Sequence, residues 1–511
     1  MSARSIEHPP ETEPAAEHVD VLIVGAGVSG IGCAYHLQDK QPGKSYLILE
    51  AREAIGGTWD LFRYPGIRSD SDVHTFGYAF KPWLGEKAIA DGPDILRYIR
   101  ETAGENRIEP HIRVGHNVRR ASWSSETARW TVEATRADGA STVRFTCGWL
   151  FCASGYYRHD EGYTPSFAGV ERFRGKIVHP QHWPEDLDYA GKRVVVIGSG
   201  ATAVTLVPAL AEEAAHVTML QRSPSYIVSV PARDAIADAL KRVLPARTAY
   251  SITRRKNIWL QKSIYQLSRS RPQLLRRRLR AGIKRRLPAG YAIDTHFNPR
   301  YDPWDQRLCA VPDGDLFEAI RCGRASVATD RIERFSEHAI ELASGAQLEA
   351  DIVVTATGLN LLALGGIELT VDGERVAPAQ TIAYRAMMLS DVPNFAYAFG
   401  YTNASWTLKV DLVCEYLCRL LGYMQEHGYD TCVAHNDDPT LTTLPLLDFA
   451  AGYVQRSVHL FPRQGSRHPW SVAMSYAEDV RNLRGSIEDP ALRFSRAALL
   501  PETAPTPALA G

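Results

Sequence analysis

The sequence is short of several things, and each shortage removes a class of protein. None of its eight cysteines forms a Cys-x-x-Cys pair. That argues against a disulfide framework, a zinc site or a redox-active dithiol. Cys414 and Cys418, four apart on a predicted helix, read as small buried apolar residues. No run of about 18 apolar residues occurs, so no transmembrane helix is expected. Residues 1–18, rich in Pro, Glu and Ala, contain no apolar h-region. They read as a disordered tail rather than a signal peptide, and the expected location is cytoplasmic. Lys plus Arg equals Asp plus Glu at 58 each, so no global field favours nucleic acid or an acidic partner.

What is present is a dinucleotide-binding pattern, twice. The 511 residues allow two or three domains with ample core. His18–Val24 reads as a buried parallel strand running into Gly25-Ala26-Gly27-Val28-Ser29-Gly30. A helix pattern follows through Leu37, then a strand, Ser45–Leu49, ending in Glu50. Gly25 suits the tight turn, Gly27 the close approach of a pyrophosphate and Gly30 helix–strand packing. The helix N-terminus offers free N–H groups and partial positive charge to phosphates. Glu50 stands where a carboxylate can accept from ribose hydroxyls. A second glycine turn, Gly56-Gly57-Thr58-Trp59, resembles the FAD-binding pattern of flavoproteins with two dinucleotide domains. The Pro- and Gly-bearing loop Arg63–Asp70 follows.

The second unit starts at Lys192. Strand Val194–Ile197 leads into Gly198-Ser199-Gly200-Ala201-Thr202-Ala203-Val204, with Ala203 in place of the third glycine. After the next strand, His216–Leu220, the expected acid is missing, and Gln221-Arg222-Ser223 stands there. A carboxylate would repel a 2′-phosphate, whereas Arg222 can pair with it, which points to NADPH. Each unit is closed by the same order of elements. An antiparallel meander over Ser122–Phe145 precedes strand Trp149–Ala153. A hairpin over Ala339–Leu348 precedes strand Asp351–Ala356. FAD followed by NADPH defines a flavin oxidoreductase, but not what the electrons reach.

Between the two units lies Phe173–Pro184, FRGKIVHPQHWP. Phe173, Gly175, His179, Trp183 and Pro184 match F-x-G-x-x-x-H-x-x-x-W-P, the fingerprint of Baeyer–Villiger monooxygenases. Trp59, Tyr64, Pro65, Gly66 and Asp70 resemble that family's second motif. The resemblance covers the chain from Val21 to about Arg493. It implies that NADPH reduces FAD, that O₂ yields a C4a-peroxyflavin, and that a ketone becomes an ester. Acyclic or aryl-alkyl ketones are the implied substrates, with sulfide oxidation by the same site. His179 and Trp183 would couple domains rather than make bonds. Arg307 takes the position of the family's arginine over the flavin, with Asp70 to orient it. FAD contacts carried over are Ser29, Glu50, Thr58, Trp59, Asp70 and Val118, the last equally a strand core residue. NADPH contacts are Arg68, Ser69, Asp70, Gly198–Val204, Arg222 and Ser223. Where many relatives have a lysine before the arginine, this chain has Gln306, which leaves Arg222 as the main reader of the 2′-phosphate.

The expected fold is α/β, two Rossmann-like domains with a helical insertion. Residues 19–157 and 380–499 would form the FAD domain, 158–230 and 330–379 the NADPH domain, and 231–329 the insertion. Residues 500–511 would be a second disordered tail. From Ser251 to Gly290 there is no acid, and basic residues alternate with apolar ones. That stretch reads as a helix face paired with acids elsewhere, or as a face for peripheral contact with anionic membrane. Thr407–His427 reads as an amphipathic helix stopped by Gly428, packed on the FAD domain. Three rivals remain at this level: an N- or S-oxygenating flavin monooxygenase, an NADPH-dependent reductase, and a membrane-surface binding module built on the basic helix. Oligomeric state is not legible.

Overall fold

The computed structural model describes residues 16–139, 141–306, 308–447 and 451–497. Most of the expected tails lies outside these residues, but Glu17 and His18 already belong to a strand. That strand, β1 (Glu17–Val24), is followed by helix α1 (Val28–Lys40) and strand β2 (Tyr46–Leu49). The meander β3 (His116–Ser124), β4 (Arg129–Arg136) and β5 (Thr142–Cys152) is antiparallel. Its last strand also pairs in parallel with β1, which pairs in parallel with β2. Val21 to Leu49 thus finds both faces of its strands covered, which is why β1 and β2 read as continuous apolar runs.

Strand β6 (Tyr157–Gly162) leaves this unit. The second unit contains β7 (Lys176–Val178), β8 (Arg193–Ile197), helix α2 (Ala201–Leu210) and β9 (His216–Gln221). Three helices then depart from it: α3 (Ala235–Val243), α4 (Ala246–Ser270) and α5 (Pro272–Lys284). The chain returns as β10 (Ala325–Thr329) and β11 (Ile352–Thr355). The sheet is wholly parallel in the order β10–β9–β8–β11–β7.

Two expected boundaries move. Residues 325–329, expected inside the helical insertion, form an outer strand paired with β9. Only Ala325 of this strand is buried, so its sequence shows no strong apolar period. Residues 368–376, expected in the second unit, are a hairpin that extends the first sheet beyond β3.

The chain crosses back as β12 (Leu359–Leu361), antiparallel to the outgoing β6. Phe395–Tyr397 then pairs with β5, and helix α6 (Trp406–His427) lies against α1. Helix α6 ends at Gly428, whose φ is 66°. Cys414 and Cys418 are buried in the α1–α6 core beside Cys33, and burial pushes their thiols up.

The repeat extends to atomic detail. Gly25 has φ 103°, and a Cβ there would sit 2.7 Å from the Ala153 carbonyl oxygen. Gly198 has φ 139°, and a Cβ there would sit 2.3 Å from the Ala356 carbonyl oxygen. In each unit the first glycine abuts the end of the strand that closes it, so neither position admits a side chain.

Helix α4 turns several polar residues inward. Tyr250, Thr253, Arg254, Asn257 and Ser268 are buried. Arg254 donates from Nη1 to the carbonyls of His74 (3.0 Å), Thr75 (3.0 Å) and Gly77 (2.6 Å). Its Nη2 faces Asp411 of α6 at 3.4 Å. Asp411 also accepts from the Ala79 N–H at 3.1 Å and lies 3.4 Å from His36 of α1. Removing one partner of a buried pair strands the other charge. Arg254→Met should therefore cost about 3–5 kcal/mol in urea unfolding at neutral pH. Adding Asp411→Asn in that background should return part of the loss. A single-variant cost below about 1 kcal/mol would show that the pair is solvated after all.

Candidate functional site

A cavity of about 530 Å³ opens between the two units. Its floor is the first glycine turn, with Gly25, Gly27, Val28 and Ser29 on the wall. Helix α1 has no side-chain cap and no acid in its first turn, so nothing from the chain competes for its N-terminus. Glu50, at the end of β2, is buried. Its Oε2 accepts from the Ala26 N–H at 2.7 Å and its Oε1 from the Arg52 N–H at 2.9 Å. Burial holds its carboxyl above the ordinary range, against the pull of those two bonds. Each ionised carboxylate oxygen can still accept a further donor.

The second glycine turn meets the first. Gly57, Thr58 and Trp59 line the cavity, and a Cβ on Gly27 would lie 3.6 Å from the Gly57 Cα. Val118 of β3 is 4% exposed and does both jobs expected of it, core residue and wall residue.

The loop from Arg63 to Asp70 bridges the units. Phe62 and Tyr64 pack into the core of the second unit, and a Cβ on Gly66 would lie 2.9 Å from the Thr205 carbonyl of α2. Arg68, Ser69 and Asp70 line the cavity, facing Ala201, Thr202 and Thr205 of α2. Arg68 is held by Asp315 of the second unit at 2.5 Å. Beneath the loop, burial works to raise the Asp72 carboxyl. Hydrogen bonds from His74, Thr75 and Asn257 outweigh it and leave Asp72 below its ordinary range. Asn257 and Gln261, both from α4, reach Asp72 at 2.9 and 2.7 Å.

The remaining expected residues stand apart from this wall. Gly30 is buried within α1. Gly198, Ser199 and Gly200 form the turn before α2, and Ala203 and Val204 are buried on that helix. Arg222 and Ser223 are exposed just beyond β9. They adjoin that turn, since the Ser199 hydroxyl donates to the Ser223 carbonyl at 3.2 Å. Helix α2, like α1, has no side-chain cap and no acid in its first turn. Arg307 lies outside the described residues.

His179 and Trp183 do not line the cavity. His179 Nε2 donates to the Gly358 carbonyl at 3.2 Å, while its Nδ1 accepts from the Gln181 N–H at 3.2 Å. This fixes the neutral tautomer, and burial lowers the imidazole below its ordinary range. Gln181 donates to the carbonyls of Arg158 and His159 on β6, at 2.8 and 2.9 Å. The fingerprint therefore grips both crossings, β6 directly and β12 through Gly358. Trp183 packs against the core of the second unit, edge-on to Tyr189.

Sequence reasoning missed the far wall. Trp406, the first residue of α6, donates from Nε1 to the Ser29 hydroxyl at 2.9 Å and stacks on Tyr156. Tyr401, also on the wall, donates to Asp479 at 2.6 Å, and Asp479 pairs with buried Lys409 at 2.7 Å. Burial lowers the Lys409 ammonium, opposed by that carboxylate. The signal was Tyr401 and Trp406 flanking the loop into a predicted helix. Only the fold carries Trp406 to Ser29, 377 residues away in sequence.

A family described as flavin-binding monooxygenase-like matches residues 89–364, and one described as NAD(P)-binding Rossmann-like domain matches residues 23–84. The FAD-containing monooxygenase EthA of Mycobacterium tuberculosis is 55% identical over 482 residues, spanning 94% of this chain and 98% of that protein. An oxidized steroid monooxygenase bound to NADP superposes with a TM-score of 0.75 at 20% identity. The match covers 94% of this chain and 100% of that one. The OTEMO complex with FAD and NADP gives 0.68 at 22% identity, over 82% and 87% of the two chains. These two likenesses are of fold.

The grip of His179 can be tested by space. A Cβ on Gly162 would lie 2.1 Å from the His179 ring. Gly162→Ala should cost about 1–3 kcal/mol by overpacking. In Gly162→Ala/His179→Ala the ring is gone, so the double variant should cost less than the two single costs summed. Additive costs in urea unfolding would show that the two do not touch. The pH sign follows from the lowered imidazole. Below its ordinary value of 6.5 the unfolded chain takes a proton that the folded chain refuses, so stability is lost as the pH is lowered through that range. His179→Gln should flatten that acid slope.

Proposed function

The chain belongs to the flavin-binding monooxygenase-like family and is a flavin-dependent monooxygenase, and on that premise we propose that it converts ketones to esters using FAD, NADPH and O₂. The observation that carries this reading is a single cavity walled by both glycine-turn units, with the Baeyer–Villiger fingerprint clasping the strands between them. The ending Trp183-Pro184 favours oxygen insertion beside a carbonyl over N-oxygenation. Phe76, Trp59 and Ile67 give the wall an apolar part suited to acyclic or aryl-alkyl ketones, and to sulfides.

The residues present fit both cofactors. Bare helix N-termini at α1 and α2 suit two pyrophosphates. Glu50 would take ribose hydroxyls of FAD, Gly57–Trp59 and Val118 would flank it, and Ser29 is held in place by Trp406. Arg222 and Ser223, exposed beside the second turn, would take the 2′-phosphate of NADPH. Bound FAD supplies electron transfer from NADPH and activation of O₂. The chain positions the ketone, excludes water and stabilises charge. Arg307 would supply the cation beside the developing oxyanion, with Asp70 on the cavity wall to orient it. A fixed cation about 4 Å from that oxygen contributes up to about 4 kcal/mol, roughly a thousandfold in rate.

Incubating the protein with NADPH, O₂ and a linear methyl ketone should give ester with little hydrogen peroxide. Peroxide alone, with every ketone tried, would reject the reading, and sulfide or amine oxides would then define the reaction. Arg307→Ala should still let NADPH bleach the flavin but yield no ester; normal ester formation would remove Arg307 from its role. Arg222→Ala should raise KM for NADPH roughly tenfold to hundredfold and leave NADH nearly untouched. Equal losses with both nucleotides would mean that Arg222 does not read the 2′-phosphate.

A further inference from the structure

Helix α4 is inside out. Its buried face carries the hydrogen-bonding residues that hold the loop below the cavity, whereas its outer face carries an apolar ridge among polar and basic side chains. Ile252, Trp259, Leu260, Ile264 and Leu267 recur at helical spacing, all exposed, with Trp259 67% so. Of the thirteen large apolar side chains exposed among the described residues, eight lie between positions 236 and 274. Dispersed apolar exposure is ordinary, but such a concentration marks a contact surface.

The charge on this surface has one sign. From residue 239 to 293 the sequence has sixteen Lys and Arg and no acid. Some are neutralised from outside the segment: Arg254 by Asp411, Lys256 by Asp234, Arg269 by Asp305 and Arg280 by Asp294. Arg255, Lys262, Arg271, Arg277, Arg278 and Arg285 are exposed, with no ion pair among the described residues. No helix among the described residues is long and apolar enough to cross a membrane. An apolar ridge flanked by unpaired cations suits the plane of an anionic bilayer, where the ridge enters the acyl boundary and the cations meet headgroup phosphates. A second copy docked face to face would set like charges against each other.

We propose that α4 and α5 form a docking surface for anionic lipid bilayer, with Trp259 as its apolar anchor. The surface and the cavity then share one helix, since the inner face of α4 bonds Asp72 under the wall.

The test uses the flavin-loaded protein and sedimentation with vesicles. One set is pure phosphatidylcholine, and in the other a third of the lipid is phosphatidylglycerol. The protein should sediment with the second set at low salt and be released at high salt. Trp259→Ser should weaken that binding roughly tenfold, and Arg277→Glu/Arg278→Glu roughly thirtyfold. Both variants should retain wild-type NADPH consumption with a soluble ketone in the absence of vesicles. Equal affinity for both vesicle sets, or none for either, would overturn the proposal. So would a concentration-dependent dimer that Trp259→Ser abolishes while the wild type ignores vesicles, which would assign the face to a second copy.

Discussion

Everything in this molecule depends on how β6 and β12 cross between the units side by side. The two strands are short, and alone a two-stranded ribbon of this size is marginal. They are fixed because the fingerprint segment reaches both. Gln181 satisfies two carbonyls of β6, and His179 satisfies the carbonyl that precedes β12. The neutral ring, donating from one nitrogen and accepting at the other, can do this where a charged ring could not. With the crossing fixed, the N-terminus of α2 lies across the cavity from that of α1, and the loop from Arg63 to Asp70 can lie on α2. The separation of the two nucleotide turns is thus set by a few hydrogen bonds remote from either.

A second set of buried polar contacts holds the helical insertion. Burying Arg254 and Asp411 carries a desolvation cost, offset here by three backbone carbonyls on the arginine and by the Ala79 N–H on the carboxylate. Well-packed apolar residues would bind α4 at least as strongly. What the polar face adds is position: Asn257 and Gln261 reach one carboxylate, that of Asp72, from a single register of the helix.

Much of this was legible from local pattern. A strand, a glycine turn and a helix lie within about twenty residues, so both units could be read from the chain itself. Their pairing could be read because the closing strands repeat. The wall formed by Tyr401 and Trp406 could not, since Tyr401 meets Asp479 78 residues on and Trp406 meets Ser29 377 residues back. The strand at 325–329 escaped for another reason: an outer strand with one buried residue lacks the apolar run that marks its neighbours. The hairpin at 368–376 joins the first sheet because the chain has already crossed back at β12, and its neighbours Leu364, Ile367 and Ala383 pack in the first unit's core. The basic stretch was read as paired or as membrane-facing, and the structure divides it: Arg254, Lys256, Arg269 and Arg280 are ion-paired, whereas Arg255, Lys262, Arg271, Arg277, Arg278 and Arg285 are exposed with no ion pair among the described residues.

The second unit is nested within the first, and this orders events during synthesis. Strands β1, β2 and β5 leave the ribosome early, but Phe395–Tyr397 and α6, which cover β5 and α1, are made some 240 residues later. At ordinary rates of translation that interval is on the order of ten to fifty seconds. The inner unit is complete well before the outer one, whose apolar α1 face waits for its cover. The first nucleotide turn is therefore the last to be finished, although its residues are among the first made.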